Sequence, residues 1–140
     1  KGGEWQIALA LFSQMAKARL APNDISFNAG ISACEKGGEW QVAVLLLAQM
    51  AAAGVVPNEI SYSGAISACE KRGEWQRAIG LFSQMPAVSV VPDEINFNAG
   101  ISACEKGGAW QIALLLLTQM QKARIVPSDV SFNAGISACE

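Results

Sequence analysis

From residue 4 to residue 17 the apolar side chains Trp5, Ala8, Leu9, Phe12, Met15 and Ala16 recur at steps of three and four, with polar Gln6, Ser13 and Gln14 between them. That spacing predicts an amphipathic helix, here called type B. Pro22 resists helical continuation, and Asn23 stands where an N-cap belongs, followed by Asp24 at a position that favours an acid. A second helix, type A, is therefore predicted over 24–36. Its apolar stripe is Phe27, Gly30, Ile31 and Cys34, which should pack on a type B helix, with Gly30 allowing close backbone approach. The opposite stripe is Ile25, Asn28, Ser32 and Lys36, too polar for a core, so it faces solvent or a ligand. Gly37-Gly38 supplies a glycine cap, and the next type B helix is predicted over 39–53.

The same unit then returns. SFNAGISACEKGGEWQ, beginning at Ser26, recurs as SYSGAISACEKRGEWQ from Ser61 and as NFNAGISACEKGGAWQ from Asn96. Trp5, Trp40, Trp75 and Trp110 are 35 residues apart, as are Met15, Met50, Met85 and Met120, and Pro22, Pro57, Pro92 and Pro127. A strict period of this length means stacked supersecondary units, none of which can bury its apolar face alone. Type A helices are expected over 59–71, 94–106 and 129–140, and type B helices over 73–85 and 108–123. Pro86 should end or kink the 73–85 helix early, and Arg77 and Gly80 weaken it further. The fold class is all-α, a solenoid of stacked antiparallel helix pairs in one continuous array. Its repeats span 24–58, 59–93 and 94–128, with partial repeats at 1–23 and 129–140. No polar capping repeat is visible, so the chain reads as a piece of a longer array, in which no signal, transit or membrane segment is expected.

Composition narrows the function. A net charge of -2 and a pI near 5.1 argue against a broadly basic nucleic-acid binder, so any such site must be local. The longest apolar run, 42–48, is far short of a membrane span. Histidine is absent, which removes the commonest general base and metal ligand. Cys34, Cys69, Cys104 and Cys139 occupy one repeat position, so stacking should hold their helices about 8 to 10 Å apart, beyond disulfide reach and unsuited to one zinc ion. They read as buried, reduced, structural cysteines. No metal or other cofactor is implied. No nucleophile-base pair, glycine-rich phosphate loop or carboxylate cluster appears, which points away from an enzyme and from a small-molecule substrate.

Two helices per 35 residues, a proline with a small polar residue between units, and the run F-N-A-x-I-S-A-C-x-K-G-G-x-W-x-x-A-L-x-L-x-x-x-M resemble the pentatricopeptide repeat family over all 140 residues. Tetratricopeptide repeats differ, being 34 residues long with their tryptophan in the first helix. The resemblance implies a right-handed superhelix whose type A helices line a concave groove for single-stranded RNA, one base per repeat, usually in mitochondria or plastids. In that family one residue a turn inside helix A and one after the inter-repeat proline read the base. Carried over, the pairs are Asn28 with Asn58, Ser63 with Asp93, and Asn98 with Ser128; Asn23 and Asn133 belong to incomplete pairs. Ile25, Ile60, Ile95 and Val130 would sandwich the bases, and Lys36, Lys71 and Lys106 would meet phosphates. The pairs resemble those for C, G and C. Asn28, Ser63, Asn98 and Asn133 are expected to form one ladder along the concave side.

Other readings stand beside these. Asn23, Asn58, Asp93 and Ser128 are all strong N-cap residues, and capping alone would produce their variation. Lys36, Lys71 and Lys106 lie in a last helical turn, where a cation is favourable without a ligand. Asparagine is a poor helix former with no evident local duty at 28, 98 and 133, which favours a groove-facing role. The four tryptophans, and Phe27, Tyr62, Phe97 and Phe132, read as core, not as base-stacking platforms. Val42, Leu45 and Ala48, with Ile112 and Leu115 two repeats later, place apolar matter on the outer face of type B helices. That suggests a protein partner there, and the rival function is a protein-binding scaffold in a large organellar assembly.

Overall fold

The computed structural model describes residues 4–140, and these form eight α-helices with no strand among the described residues. Helices α1 (Glu4–Lys17), α3 (Trp40–Ala52), α5 (Trp75–Gln84) and α7 (Trp110–Lys122) are of type B; α2 (Asp24–Gly37), α4 (Glu59–Lys71), α6 (Glu94–Gly107) and α8 (Asp129–Ala138) are of type A.

Local chemistry sets every boundary. Each type A helix starts at an N-cap in extended conformation: Asn23, Asn58, Asp93 and Ser128. Each of α2, α4 and α6 ends on a left-handed glycine, Gly38, Gly73 or Gly108, with φ of 67, 71 and 67°. The amide after that glycine donates back to the cysteine carbonyl: Glu39 to Cys34, Glu74 to Cys69 and Ala109 to Cys104, all at 2.9 Å. The type B helices predicted to begin at 73 and 108 therefore begin two residues later, at Trp75 and Trp110, because a left-handed glycine cannot be their first turn. The far ends of the type B helices reverse through Arg19, Gly54, Ser89 and Arg124, also left-handed, with the next amide donating to the methionine carbonyl of Met15, Met50, Met85 or Met120 at 2.8 to 3.0 Å. Pro86 acts as expected: α5 stops at Gln84 and the chain tightens into a 3₁₀ turn, Pro86–Val88.

Packing makes two layers. The type A helices lie against one another in chain order, α2 on α4, α4 on α6 and α6 on α8, whereas the backbone of each type B helix comes close only to its neighbouring type A helices, and type B helices meet through long side chains such as Arg77 on Trp40. A stack held closely on one side and spread on the other curves toward the close side, so the type A helices form the inner layer. Between the layers runs a continuous core of Ile31, Ile66 and Ile101, of Met50, Met85 and Met120, of Ala43, Ala78 and Ala113, and of Cys34, Cys69 and Cys104, all at most 1 % exposed. Burying each large apolar side chain contributes about 1.5 to 3 kcal/mol.

Several sequence expectations need correction. Gly30 does not admit a neighbouring backbone. A Cβ there would lie 2.7 Å from the Phe12 ring and 3.2 Å from Leu46, so the missing side chain seats an aromatic ring, itself 5.2 Å from the ring of Phe27. The tryptophans are rim residues: Trp5, Trp40 and Trp75 are half-buried against the core and Trp110 is 44 % exposed. Trp40 lies under the Arg77 guanidinium at 5.5 Å, so Arg77 shields a ring as well as solvating its helix. Phe132 and Cys139, expected in the core, are exposed, because α8 packs on α6 and α7 alone whereas α4 and α6 are flanked by four helices each.

The thiols report this burial directly. Desolvation pushes Cys34, Cys69 and Cys104 up to about 11 from an ordinary thiol value near 9, with the Glu39 charge adding to the effect at Cys34 and Glu74 at Cys69. A folded-state pKa raised above the unfolded one stabilises fully below about pH 9, and that contribution is lost as pH rises through about 11. Titration with a disulfide reagent at pH 8 should modify Cys139 rapidly and the other three only on unfolding. Urea midpoints should fall between pH 9 and 11, and less steeply in a Cys34→Ala/Cys69→Ala/Cys104→Ala variant. Four equally reactive thiols in the native protein would contradict the packing.

Candidate nucleic-acid interface

The inner face is built from the first two turns of each type A helix. At its start, the cap side chain accepts the amide of the third helical residue: Ser26 N–H to Asn23 Oδ1 at 3.0 Å, Ser61 to Asn58 at 3.0 Å and Asn96 to Asp93 at 2.9 Å. The third residue's side chain returns the bond to the cap amide at 3.5, 3.2 and 2.9 Å, and Ser131 does so for Ser128 at 3.2 Å. Capping is thus an observed duty of the Asn23, Asn58 and Asp93 side chains, stabilising each helix by about 1 kcal/mol, while the Ser128 hydroxyl at the same place lies 3.4 Å from that of Ser131. Of these four, Asn58, Asp93 and Ser128 remain half-exposed and Asn23 is exposed.

One position into each helix stands an exposed apolar residue. Ile25, Ile60, Ile95 and Val130 are 73, 61, 63 and 60 % exposed, a row of aliphatic side chains on a face that otherwise carries polar groups. Three residues further along lie Asn28, Ser63 and Asn98, half-buried, and Asn133, exposed. The bonds of Asn28, Ser63 and Asn98 are not made to a type B helix. Asn28 reaches along the inner layer to α4, where its Oδ1 accepts the Ser61 hydroxyl at 2.6 Å and its Nδ2 donates to Asn58 Oδ1 at 3.5 Å. Asn98 likewise accepts the Ser131 hydroxyl of α8. Ser63 is too short for this and donates to its own helix, at Ile60 O, 3.1 Å away. Asparagine at 28 and 98 therefore has a structural duty that its own helix could not reveal, a partner 33 residues ahead.

The lysines sit at the other end of the inner helices. Lys36, Lys71 and Lys106 are exposed, but two of them are engaged with the preceding type A helix. Lys71 donates to Glu35 O at 3.1 Å, at the negative end of α2, and Lys106 pairs with the Glu70 carboxylate. A partly exposed pair of this kind is worth about 0 to 1 kcal/mol. On the outer face Leu45 and Leu115 are each 54 % exposed and Ala48 is exposed, while Val42 and Ile112 are half-buried against the core. No group of three or more metal-ligating side chains occurs among the described residues, and no helix there is long and apolar enough to cross a membrane.

The profile for the pentacotripeptide-repeat region of PRORP matches residues 5–134. The chain belongs to the pentatricopeptide repeat family. Among solved structures it is similar to the pentatricopeptide repeat protein PPR10 in complex with an 18-nt psaJ RNA element, at 28 % identity and a TM-score of 0.82 over 97 % of this chain and 20 % of that one. The pentatricopeptide repeat domain of Arabidopsis thaliana protein-only RNase P 1 in complex with tRNA superposes with a TM-score of 0.83 at 19 % identity, over 96 % of this chain and 69 % of that one. Nuclear proteinaceous RNase P 2 of A. thaliana does so at 0.83 and 15 % identity, over 93 % of this chain and 28 % of that one. At those identities the two RNase P structures support the fold alone. The chain spans about one fifth of the length of the PPR10 chain it matches. A comparison with curated protein sequences gave no match.

Proposed function

We propose that this pentatricopeptide repeat segment binds single-stranded RNA along its inner face, one base per repeat, by occupancy and without chemistry of its own. The observation that supports it best is the alternation on that face. Ile25, Ile60, Ile95 and Val130 stand exposed at 60 to 73 %, and each lies three residues before a polar side chain at 28, 63, 98 or 133. Flat apolar surface suits the faces of unstacked bases, and amide, hydroxyl or carboxylate groups suit their edges. PPR10, similar at 28 % identity, is solved with an RNA element. In this reading Asn28 with Asn58, Ser63 with Asp93 and Asn98 with Ser128 contact successive bases with preference C, G, C, and Asn23 and Asn133 belong to flanking pairs. Lys36 meets a phosphate, and Lys71 and Lys106 exchange their present partners for phosphates. An organellar setting, mitochondrion or plastid, rests on family habit, and the nuclear RNase P 2 shows the same fold outside it.

A second reading has its own observation. Leu45 and Leu115 are both 54 % exposed on type B helices, on the side away from the inner layer. Exposed apolar surface of this kind suits a protein partner on the outer face, acting together with RNA or in its place.

Fluorescence anisotropy with the 140-residue chain should show an RNA carrying C-G-C bound about fivefold or more tightly than one carrying C-A-C or C-U-C, on the scale of one edge contact. With at most three lysines on phosphates, the slope of log affinity against log salt should be no steeper than about -2. Equal binding of all central bases, or no binding at low salt, would overturn the RNA reading. Leu45→Glu/Leu115→Glu should leave RNA affinity unchanged and abolish association with a scaffold partner; lost RNA affinity in that variant would refute an outer-face role separate from the groove.

A further inference from the structure

The buried polar side chains of the described residues are Ser61, Asn96 and Ser131, each 0 % exposed, and all three occupy one repeat position, the third residue of a type A helix. A polar group in that setting needs partners, and no buried side-chain nitrogen or oxygen among the described residues lacks one. The partners lie in the preceding repeat. Ser61 meets Asn28 and Ser131 meets Asn98, while at the junction between them the residue types are exchanged: position 63 is serine and position 96 is asparagine. There the amide is carried by Asn96 of the later helix. Its Nδ2 donates to Glu59 O of α4 at 3.3 Å and its Oδ1 accepts the Asp93 amide at 2.9 Å. Each junction thus holds one asparagine and one serine, in either order.

We infer that Ser61, Asn96 and Ser131 are positioning residues, each setting from inside the stack the side chain that the preceding repeat shows to the groove; this rests on the RNA reading above. At the first junction the Ser61 hydroxyl holds Asn28 Oδ1, and Asn58 Oδ1, already an acceptor for Ser61 N–H, suits only the Nδ2 end of that amide. Asn28 is therefore fixed with its donor outward, toward Asn58 and the base edge. Such a donor selects an acceptor, as pyrimidine O2 offers. At the middle junction the amide is carried by Asn96, and Ser63 turns back and commits its proton to Ile60 O. Ser63 then offers only lone pairs, as does the neighbouring Asp93 carboxylate, and two acceptors select donor edges such as guanine N1–H and N2–H. The buried residue, in this scheme, decides whether the groove sees a donor or an acceptor.

The consequence is that position 63 cannot be recoded alone. Asparagine at 63 would put two amides at a junction that elsewhere holds one, and Asn96 is fully buried, so Ser63→Asn should lower the urea midpoint and gain no pyrimidine preference. Ser63→Asn/Asn96→Ser should recover the midpoint and shift the central base from G toward C or U by about fivefold or more, the scale of one edge contact. Ser61→Ala should reduce discrimination at the first base and leave the second unchanged, and Ser61→Thr, which keeps the hydroxyl, should restore it. Anisotropy with RNAs varied one base at a time reads both. A Ser63→Asn variant as stable and as recoded as the double variant would overturn the proposal, as would Ser61→Ala with unaltered discrimination. If no form binds RNA, the RNA reading and the positioning role fall together, and non-additivity of the 63/96 urea midpoints then shows whether the size-matched pair itself exists.

Discussion

Close contact between successive type A helices is the constraint on which the rest of this solenoid depends. The backbones of type B helices stay apart, so the stack coheres chiefly through the inner layer and through α3, α5 and α7, each wedged between two type A neighbours. Where α2 meets α4 there is little room: a Cβ at Gly64 would lie 2.7 Å from Ile31 Cγ2. Polar groups trapped at such a seam must be satisfied there, since an unpartnered buried group costs about 1 to 3 kcal/mol. The capping box and the bond to the preceding repeat meet that need together, and they place the N-terminal turns of the type A helices side by side on the inner face.

Under the proposed RNA reading, this arrangement links stability to recognition. The side chains at 28 and 98 proposed to touch RNA are not free probes held out from a rigid scaffold, whereas Ser63 is tied only to its own helix. The orientation of Asn28 and Asn98 is fixed from the next repeat by bonds that also join the repeats, so the chemistry shown there depends on the residue buried in the next repeat. The lysines show the same economy at the other end of the helices, where Lys71 and Lys106 tie adjacent type A helices while remaining within reach of an approaching anion.

What was legible in the sequence was what local chemistry decides. The apolar stripe Phe27, Gly30, Ile31 and Cys34 is the buried set of α2, and Pro86 shortens α5 as its missing donor requires. Less visible was anything depending on a partner one repeat away. Asn28 reads as a side chain without a duty because Ser61 is 33 residues distant, yet the exchange of asparagine and serine between 28/61, 63/96 and 98/131 was a signal available in the repeats. The exposure of Phe132 and Cys139 was not legible at all, since their residue types match those buried in sister repeats and only the number of helices around α8 distinguishes them. The start of type B helices was misplaced for a different reason: a glycine before tryptophan serves equally as the end of one helix or the beginning of the next until its φ is known.

The most direct measurement is an NMR titration of the isotopically labelled chain with a short single-stranded RNA, following the side-chain amides of Asn28 and Asn98, the methyls of Ile25, Ile60 and Ile95, the indole N–H signals of the four tryptophans and the methyls of Leu45 and Leu115. An RNA bound along the inner face moves the asparagine amides and isoleucine methyls together and leaves the tryptophan and leucine signals in place. Shifts confined to Leu45, Leu115 and the indoles, with Asn28 and Asn98 unmoved, would contradict a groove whose polar edge is set by the inter-repeat bonds.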